Sequence, residues 1–198
     1  MKNLFFILLS ISSFSQKVTK PQYLFDENEQ LITKEEVINK RNDIKIDFFV
    51  YETDTAFIGR FFKKKDLGLL SSSNKIKIYK ELKIITKQEI DTSKLVIINF
   101  YYKENYETKG CCIDHYTTDL AYQNYIKKNN ITQFFITEKD YYYNSKNVYQ
   151  DKNDVIRSIL FKYEFFTMNY IIIKPNGSFY RELGEYDQDQ IPKNLNSF

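Results

Sequence analysis

The sequence predicts an α/β fold built around a mixed central sheet, and three features of its second half lead to that prediction. Residues 95–102 form an unbroken run of β-branched and aromatic side chains, which is typical of a central strand buried on both faces. A second strand-like run, 133–137, lies between two segments whose apolar residues recur at helical spacing. Two further runs, 170–173 and 178–181, flank a Lys-Pro-Asn-Gly turn. This order implies a right-handed parallel crossover followed by an antiparallel hairpin at the edge.

The two helical segments of this half each show one apolar face. The first is predicted to run from Ile113 to about Lys128, and the second from Val155 to Tyr163, with Asn153 or Asp154 as its cap. The apolar positions of the first helix are Ile113, Tyr116, Leu120, Ala121 and Tyr125.

The first third of the chain has a different pattern, in which a β hairpin is framed by helices. A capping box at Thr33 predicts a short helix to about residue 39. Strands are expected at 44–51 and 56–62, where apolar residues alternate with polar ones. Ser71 to Ser73 form a loop and potential cap before a helix over about 74–89. We therefore expect an N-terminal α+β extension over residues 16–90.

The N-terminus has the features of a signal peptide. A short basic start leads into an apolar stretch over 4–11, which is shorter than the roughly 20 residues needed to span a bilayer. Ser13 and Ser15 bracket Phe14 in a small-x-small pattern, which predicts a signal peptide over 1–15 with cleavage after Ser15. The alternative is a buried N-terminal helix or strand. With cleavage, the protein is expected to be periplasmic or secreted, with no membrane span.

Composition limits the kinds of partner. The chain has 17 Tyr and 17 Phe against 5 Gly and 3 Pro, so it should fold as a globular protein. A net charge of +3, with lysines interspersed among acidic residues, argues against nucleic-acid binding. The one basic run, Lys63–Lys65, is interpreted as a solvated face or as protection of an edge strand, with a nucleic-acid or membrane patch as the alternative.

Both cysteines and the only histidine lie in the segment KGCCIDHYTTDL. Adjacent Cα atoms are about 3.8 Å apart, below the roughly 4.4–6.8 Å of unstrained disulfides, so a stable Cys111–Cys112 staple is not expected. Cys112 precedes the predicted helix, whose N-terminus favours a thiolate, and a charged His115 would add to this. The alternatives are a buried, inert cysteine, or a metal site that includes Asp119. The site has no second Cys/His cluster, so we predict neither a metal nor another cofactor.

A tyrosine-rich segment, DYYYNSKNVYQ, follows the second strand. Exposed tyrosines offer rigid contact area and a hydroxyl, which makes Tyr141, Tyr142 and Tyr143 candidates for a binding surface. The alternative is that these rings pack over the edge of the sheet.

Three stretches together resemble the thioredoxin-like family, in particular the exported branch of thiol-disulfide proteins related to TlpA. They are the strand LVIINFYY, the cysteines between that strand and the next helix, and the hairpin NYIIIKPNGSFYRELGEY. The resemblance covers about residues 91–185. It implies a three-layer sandwich with a mixed central sheet over 91–198. We expect the extension 16–90 to pack on this sandwich as part of the same domain.

The sequence departs from this family at the redox motif. The family separates its two cysteines by two residues, whereas Cys111 and Cys112 are contiguous. Met168 stands where the family has a cis-proline facing the motif, and it is added to the candidate binding surface; Pro175 belongs to the turn. These departures favour an exported binding or accessory module without standard oxidoreductase activity, whose partner is another exported protein. The alternative is an atypical thiol-disulfide oxidoreductase that uses Cys112, resolved by Cys111 or an external thiol.

Overall fold

The computed structural model describes residues 20–43, 46–103, 112–163 and 168–195. The predicted signal peptide and the start of the strand expected at 44 lie outside these residues. The strands are β1 Gln22–Phe25, β2 Ile46–Glu52, β3 Phe57–Lys63, β4 Lys65–Leu69, β5 Val96–Tyr101, β6 Thr132–Thr137, β7 Val148–Gln150, β8 Met168–Ile173 and β9 Ser178–Leu183. The helices are α1 Lys34–Lys40, α2 Ser72–Thr86, α3 Cys112–Thr118, α4 Leu120–Lys128, α5 Val155–Leu160 and α6 Gln190–Asn194.

A six-stranded mixed sheet in the order β4-β9-β8-β5-β6-β7 forms the centre of the molecule. β5, β6 and β7 are parallel, whereas β8 is antiparallel to β5, and β9 is antiparallel to both β8 and β4. The predicted parallel crossover from β5 to β6 and the hairpin of β8 and β9 are therefore confirmed. The expected position of the hairpin at the edge is wrong, because β4 pairs outside β9.

Side chains of β5 alternate between two buried clusters, one on each face of the sheet. Val96, Ile98 and Phe100 face the first cluster, which α2 and α5 cover, while Ile97 and Tyr101 face the second, which α3, α4 and α6 cover. Full burial of one such aliphatic side chain stabilises the fold by about 1.5–3 kcal/mol, so this strand is a principal source of stability. The three-layer sandwich and its doubly buried central strand are confirmed.

The N-terminal extension forms a second sheet of three strands in the order β1-β3-β2. The predicted hairpin is the antiparallel pair of β2 and β3, and the capping box at Thr33 is present with Glu36 as its partner. Leu24, Val37 and Phe61 form the core of this small layer.

β4 was not predicted from the sequence, and it carries the extension into the central sheet. It pairs with β9, and Lys65 at its start lies 3.6 Å from the Glu182 carboxylate. An edge strand of five residues that begins with a lysine agrees with the interpretation of Lys63–Lys65 as protection of an edge. The strands β1 and β7 were also missed.

The prediction of a single helix over residues 113–128 is wrong. The chain forms two helices there, α3 and α4, and Asp119 separates them. The Asp119 carboxylate accepts hydrogen bonds from the backbone N–H groups of Ala121 and Tyr122 and thereby starts α4. The break turns Leu120 outward, where it is 73% exposed, so it does not belong to the predicted apolar face.

Neither of the two residues predicted to cap α5, Asn153 and Asp154, makes a capping hydrogen bond with its side chain. Asp154 occupies the cap position in a left-handed backbone conformation without a side-chain capping bond, and Asn153 instead donates to Glu81. The buried carboxylate of Asp151 accepts from the N–H groups of Val155 and Arg157 and satisfies the first turn.

Candidate functional site

The cysteine helix α3 begins at Cys112 and is the next described element after β5. Cys111 and the side chain of Cys112 lie outside the described residues. The next residue, Ile113, is fully buried in the cluster on the second face of the sheet, together with Tyr116. These two side chains fix the position of the helix start relative to the carboxyl end of β5.

His115 lies on the outer side of this helix. Its side chain is exposed, and its ring centroid is 5.6 Å from that of Tyr116. Asp119, considered from the sequence as a fourth metal ligand, acts as the cap of α4. Within the part of the chain that the structure describes, no group of three or more His, Cys, Asp or Glu residues could hold a metal ion.

Met168 is the first residue of β8 and pairs with Tyr101, the last residue of β5. It therefore lies at the same sheet edge as the start of the cysteine helix. Its side chain is only 6% exposed and packs in the same cluster as Ile113. Because it is buried, Met168 lies beneath the predicted binding surface and does not form its outer face.

The tyrosine segment lies beyond the carboxyl end of β6 and differs in exposure from ring to ring. Tyr141 and Tyr143 contact each other edge to face, with ring centroids 6.0 Å apart, and pack against the cluster that contains Met168. The Thr137 hydroxyl donates to the Tyr141 carbonyl at 2.6 Å and anchors the segment to the sheet. Tyr142 points outward and is 77% exposed.

Met168, Tyr141, Tyr143 and the backbone at the start of the cysteine helix therefore lie at one edge of the sheet. The carboxyl ends of β5 and β6, the start of α3 and the start of β8 all meet there, and the same buried cluster contacts Ile113, Met168, Tyr141 and Tyr143. In open α/β sheets, the crevice outside the carboxyl ends of parallel strands is the usual place for a functional site. The tyrosine segment therefore combines both predicted roles: Tyr141 and Tyr143 pack against the buried cluster, and Tyr142 is exposed and available for binding.

Comparisons with solved structures return proteins of the thioredoxin type. An exposed lipoprotein thioredoxin from Streptococcus pneumoniae is 15% identical, with 54% of this chain and 87% of that chain covered and a TM-score of 0.36. A DsbF homologue from Corynebacterium diphtheriae is 14% identical, with 79% and 95% covered and a TM-score of 0.39. No family model and no curated protein matches the chain.

The order and pairing of the chain's own elements define the fold. The order of elements that the resemblance implied is present: β5, α3 with α4, β6, α5, β8, β9 and α6. The unpredicted strand β7 lies between β6 and α5, and the sheet is mixed with helices on both faces. The fold is thioredoxin-like. No described helix combines the length and the apolar content that crossing a bilayer requires.

The thioredoxin-like core also contains a buried polar network that the sequence analysis missed. Asn99, in the middle of β5, donates to the Tyr186 hydroxyl at 2.5 Å and accepts from the Gln133 side chain at 2.7 Å. Tyr186 stacks on Tyr116 of the cysteine helix, with ring centroids 5.5 Å apart. Burial raises the pKa of the Tyr186 hydroxyl far above its ordinary value, so this group stays protonated. The sequence contains one indication of this network, which is the single polar residue, Asn99, in the otherwise apolar run LVIINFYY.

Proposed function

We propose that the chain is an exported thioredoxin-like protein with a degenerate redox centre, which serves as a binding or accessory module for another exported protein. The observation that carries the proposal is the packing of Met168 under the start of the cysteine helix. The family presents a cis-proline at this point, facing its two-cysteine motif. Here the position is filled by a buried apolar side chain in contact with the cluster around Ile113.

The exposed ring of Tyr142 supports the binding role. Its two neighbours, Tyr141 and Tyr143, are partly buried against the core. Their packing fixes the backbone position of Tyr142 even when no binding partner is present. A rigid aromatic side chain presented in this way gives contact area at a low cost in conformational entropy. The two departures at the cysteines and at residue 168 remove features of the family's chemistry, whereas this surface needs neither.

The first experiment measures the reactivity of the thiols. The protein is alkylated with iodoacetamide over a range of pH, and its reduction of insulin disulfides is compared with that of the Cys111→Ser, Cys112→Ser double variant. We expect slow alkylation, with an apparent pKa at or above about 8.5, and insulin reduction no faster than in the double variant. Rapid alkylation of Cys112 at neutral pH, with activity lost in Cys112→Ser, contradicts the proposal.

The second experiment tests the surface in the compartment where the protein acts. Tyr142→Ser is compared with Tyr142→Phe, which keeps the ring, and with Cys112→Ser, and the biological effect of each variant is scored at equal protein level. The proposal expects loss in Tyr142→Ser and retention in the other two. Loss in Cys112→Ser together with retention in Tyr142→Ser refutes it.

The second candidate is an atypical thiol-disulfide oxidoreductase, and it is favoured by the position of Cys112 as the first residue of α3. In that reaction the Cys112 thiolate attacks one sulfur of a substrate disulfide, forms a mixed disulfide and releases the other sulfur as a thiolate. A Cys111 or external thiolate then attacks the Cys112 sulfur and releases the reduced substrate, so the oxidising equivalents pass to the resolving pair. A mixed disulfide trapped with an exported protein in a Cys111→Ser variant is the result that favours this candidate.

A further inference from the structure

A small acidic cavity lies between the cysteine helix and the segment that leads into α6. Its volume is about 260 Å³, and it is lined from α3 and its end by His115, Tyr116 and Asp119 and from the other side by Asp187, Gln188 and Asp189. The Tyr116 hydroxyl donates to the Tyr186 carbonyl at 2.5 Å and so holds the two sides together. The walls of the cavity are therefore fixed by contacts between parts of the chain far apart in sequence.

The charge of the cavity differs from that of the whole chain. Asp187 and Asp189 are exposed, and across the described ranges neither carboxylate makes a hydrogen bond or an ion pair. Among the described residues, no lysine or arginine lines the cavity, although the chain carries a net charge of +3. Uncompensated carboxylates concentrate negative potential in a concave site and favour a cation there.

Gln188 is a second, independent sign of a ligand. Its side chain lines the cavity, yet the residue is only 4% exposed. Its Nε2 group donates to the Tyr116 carbonyl at 3.1 Å, which fixes the orientation of the amide because a carbonyl accepts only from N–H. The amide oxygen Oε1 is left buried without a donor among the described residues. Buried acceptors are nearly always satisfied in proteins, so this oxygen calls for a donor beyond the described residues, and a ligand in the cavity can supply it.

The missing donor and the surplus of carboxylates point to the same chemistry, a cation that carries N–H groups. A bare metal ion fits less well, because the described residues contain no set of three ligands close enough to hold one. We propose that the cavity binds the ammonium or guanidinium group of a lysine or arginine side chain in an extended polypeptide partner. The cation pairs with Asp187 and Asp189 while one of its N–H groups reaches the Gln188 oxygen.

The cavity also lies close to the start of the cysteine helix, at the sheet edge where the candidate site is located. His115, which lines it, follows Cys112 by three residues, which places the two about one helical turn apart on α3. The inference rests on the proposed role as a module for an exported protein, and it defines that partner further as one with a basic residue near the contact. It applies equally to a binding partner and to the substrate of a thiol reaction.

The test uses the full chain, labelled with ¹⁵N, and capped peptides of sequence Gly-Gly-Lys-Gly-Gly, the same peptide with arginine, and the same peptide with Nε-acetyl-lysine. The NMR signals of the Gln188 side-chain amide, assigned with a Gln188→Met variant, report on the cavity itself. The lysine and arginine peptides should shift these signals in a saturable way, whereas the acetyl-lysine peptide should not. Removal of each carboxylate in Asp187→Asn and Asp189→Asn should weaken binding on the order of fivefold, as expected for one charge pair at contact in water.

Glu185→Gln is the matched control, since it removes one negative charge from an exposed residue of the same segment that does not line the cavity. This variant should bind the lysine peptide as the wild type does. Equal shifts with the acetyl-lysine peptide, or unchanged affinity after both aspartate substitutions, overturn the inference. Shifts produced by calcium chloride and by none of the peptides also overturn it and indicate a metal site.

The same titration in Cys112→Ser separates this inference from the proposed function. Retained peptide binding in that variant supports the cavity as a recognition site whatever the cysteines do. If the lysine peptide binds normally while Tyr142→Ser has no biological effect, the cavity stands and the proposed tyrosine surface fails.

Discussion

Removing the Tyr186 hydroxyl should destabilise the protein by more than its small change in volume suggests. In Tyr186→Phe, the Asn99 Nδ2 group loses the acceptor that now lies 2.5 Å away. Asn99 is fully buried in the centre of β5, so water cannot replace that acceptor. A buried donor left without a partner costs about 1–3 kcal/mol, and we expect the free energy of unfolding to fall by that amount.

A double-mutant cycle tests the reason for this loss. Replacing Asn99 by leucine alone removes the donor to the Tyr186 hydroxyl and one of two acceptors of the Gln133 amide, which keeps the Tyr122 hydroxyl. Asn99→Leu combined with Tyr186→Phe removes both members of the central hydrogen bond. If the hydrogen bond is responsible, the two changes should be coupled by about 0.5–3 kcal/mol. Unfolding is measured by urea titration, monitored by far-UV circular dichroism and by tyrosine fluorescence.

The control is Tyr142→Phe, which removes a hydroxyl from a ring that is 77% exposed. Surface substitutions of this kind change stability by less than about 0.5 kcal/mol. The reasoning is refuted if Tyr186→Phe unfolds within that margin of the wild type, or if the effects in the cycle are additive.

Two further predictions concern the small sheet and the cap of α5. Gly59→Ala would place a Cβ atom 2.6 Å from the Phe48 ring and 2.7 Å from a Leu24 methyl group, and we expect this overpacking to lower the free energy of unfolding by about 1–3 kcal/mol in thermal unfolding. An unchanged melting temperature would show that these two side chains do not pack against Gly59 as described. Burial raises the pKa of the Asp151 carboxyl above its ordinary 3.8 despite hydrogen bonds from backbone N–H groups. Because the folded pKa is the higher one, the contribution of Asp151 to stability is fully present below pH 3.8 and is lost as pH rises through the folded pKa. Relative to Asp151→Asn, the wild type should therefore become more stable as pH is lowered from neutral toward that value, and the opposite slope in urea titrations would contradict the assignment.

The parts of the fold that could be predicted are those set by local pattern. The doubly buried strand β5 and the hairpin of β8 and β9 were expected because a continuous β-branched run and a Pro-Asn-Gly turn indicate them directly. The break at Asp119 was missed because apolar spacing continues across it, and an aspartate becomes a cap only when the chain turns there. β4 was missed because its partner β9 lies more than a hundred residues further along, and its own sequence, KDLGL, has no β-branched residue.

Part of the candidate site could also be predicted from local sequence. The cysteines, the histidine and the tyrosines are conspicuous residue types, so a sequence alone is enough to select them. The acidic cavity was not predictable, because it forms only when the segment around Gln188 folds against Tyr116, 72 residues earlier. The capping role of Asp151 likewise depends on the approach of β7 to the sheet edge and on the turn that follows it.

The stability of this fold and the chemistry of its cysteines depend on different residues. β8 keeps its register with β5 through the pair of Met168 and Tyr101, and the cluster beneath α3 is closed by Ile113 and Tyr116. All of these contacts involve apolar or aromatic side chains, so a change at the cysteine motif leaves the core intact. A chain can therefore retain the thioredoxin-like architecture after its reaction has been lost. Under the proposed function, contact with a partner at this edge uses the exposed ring of Tyr142 and the carboxylates of the acidic cavity.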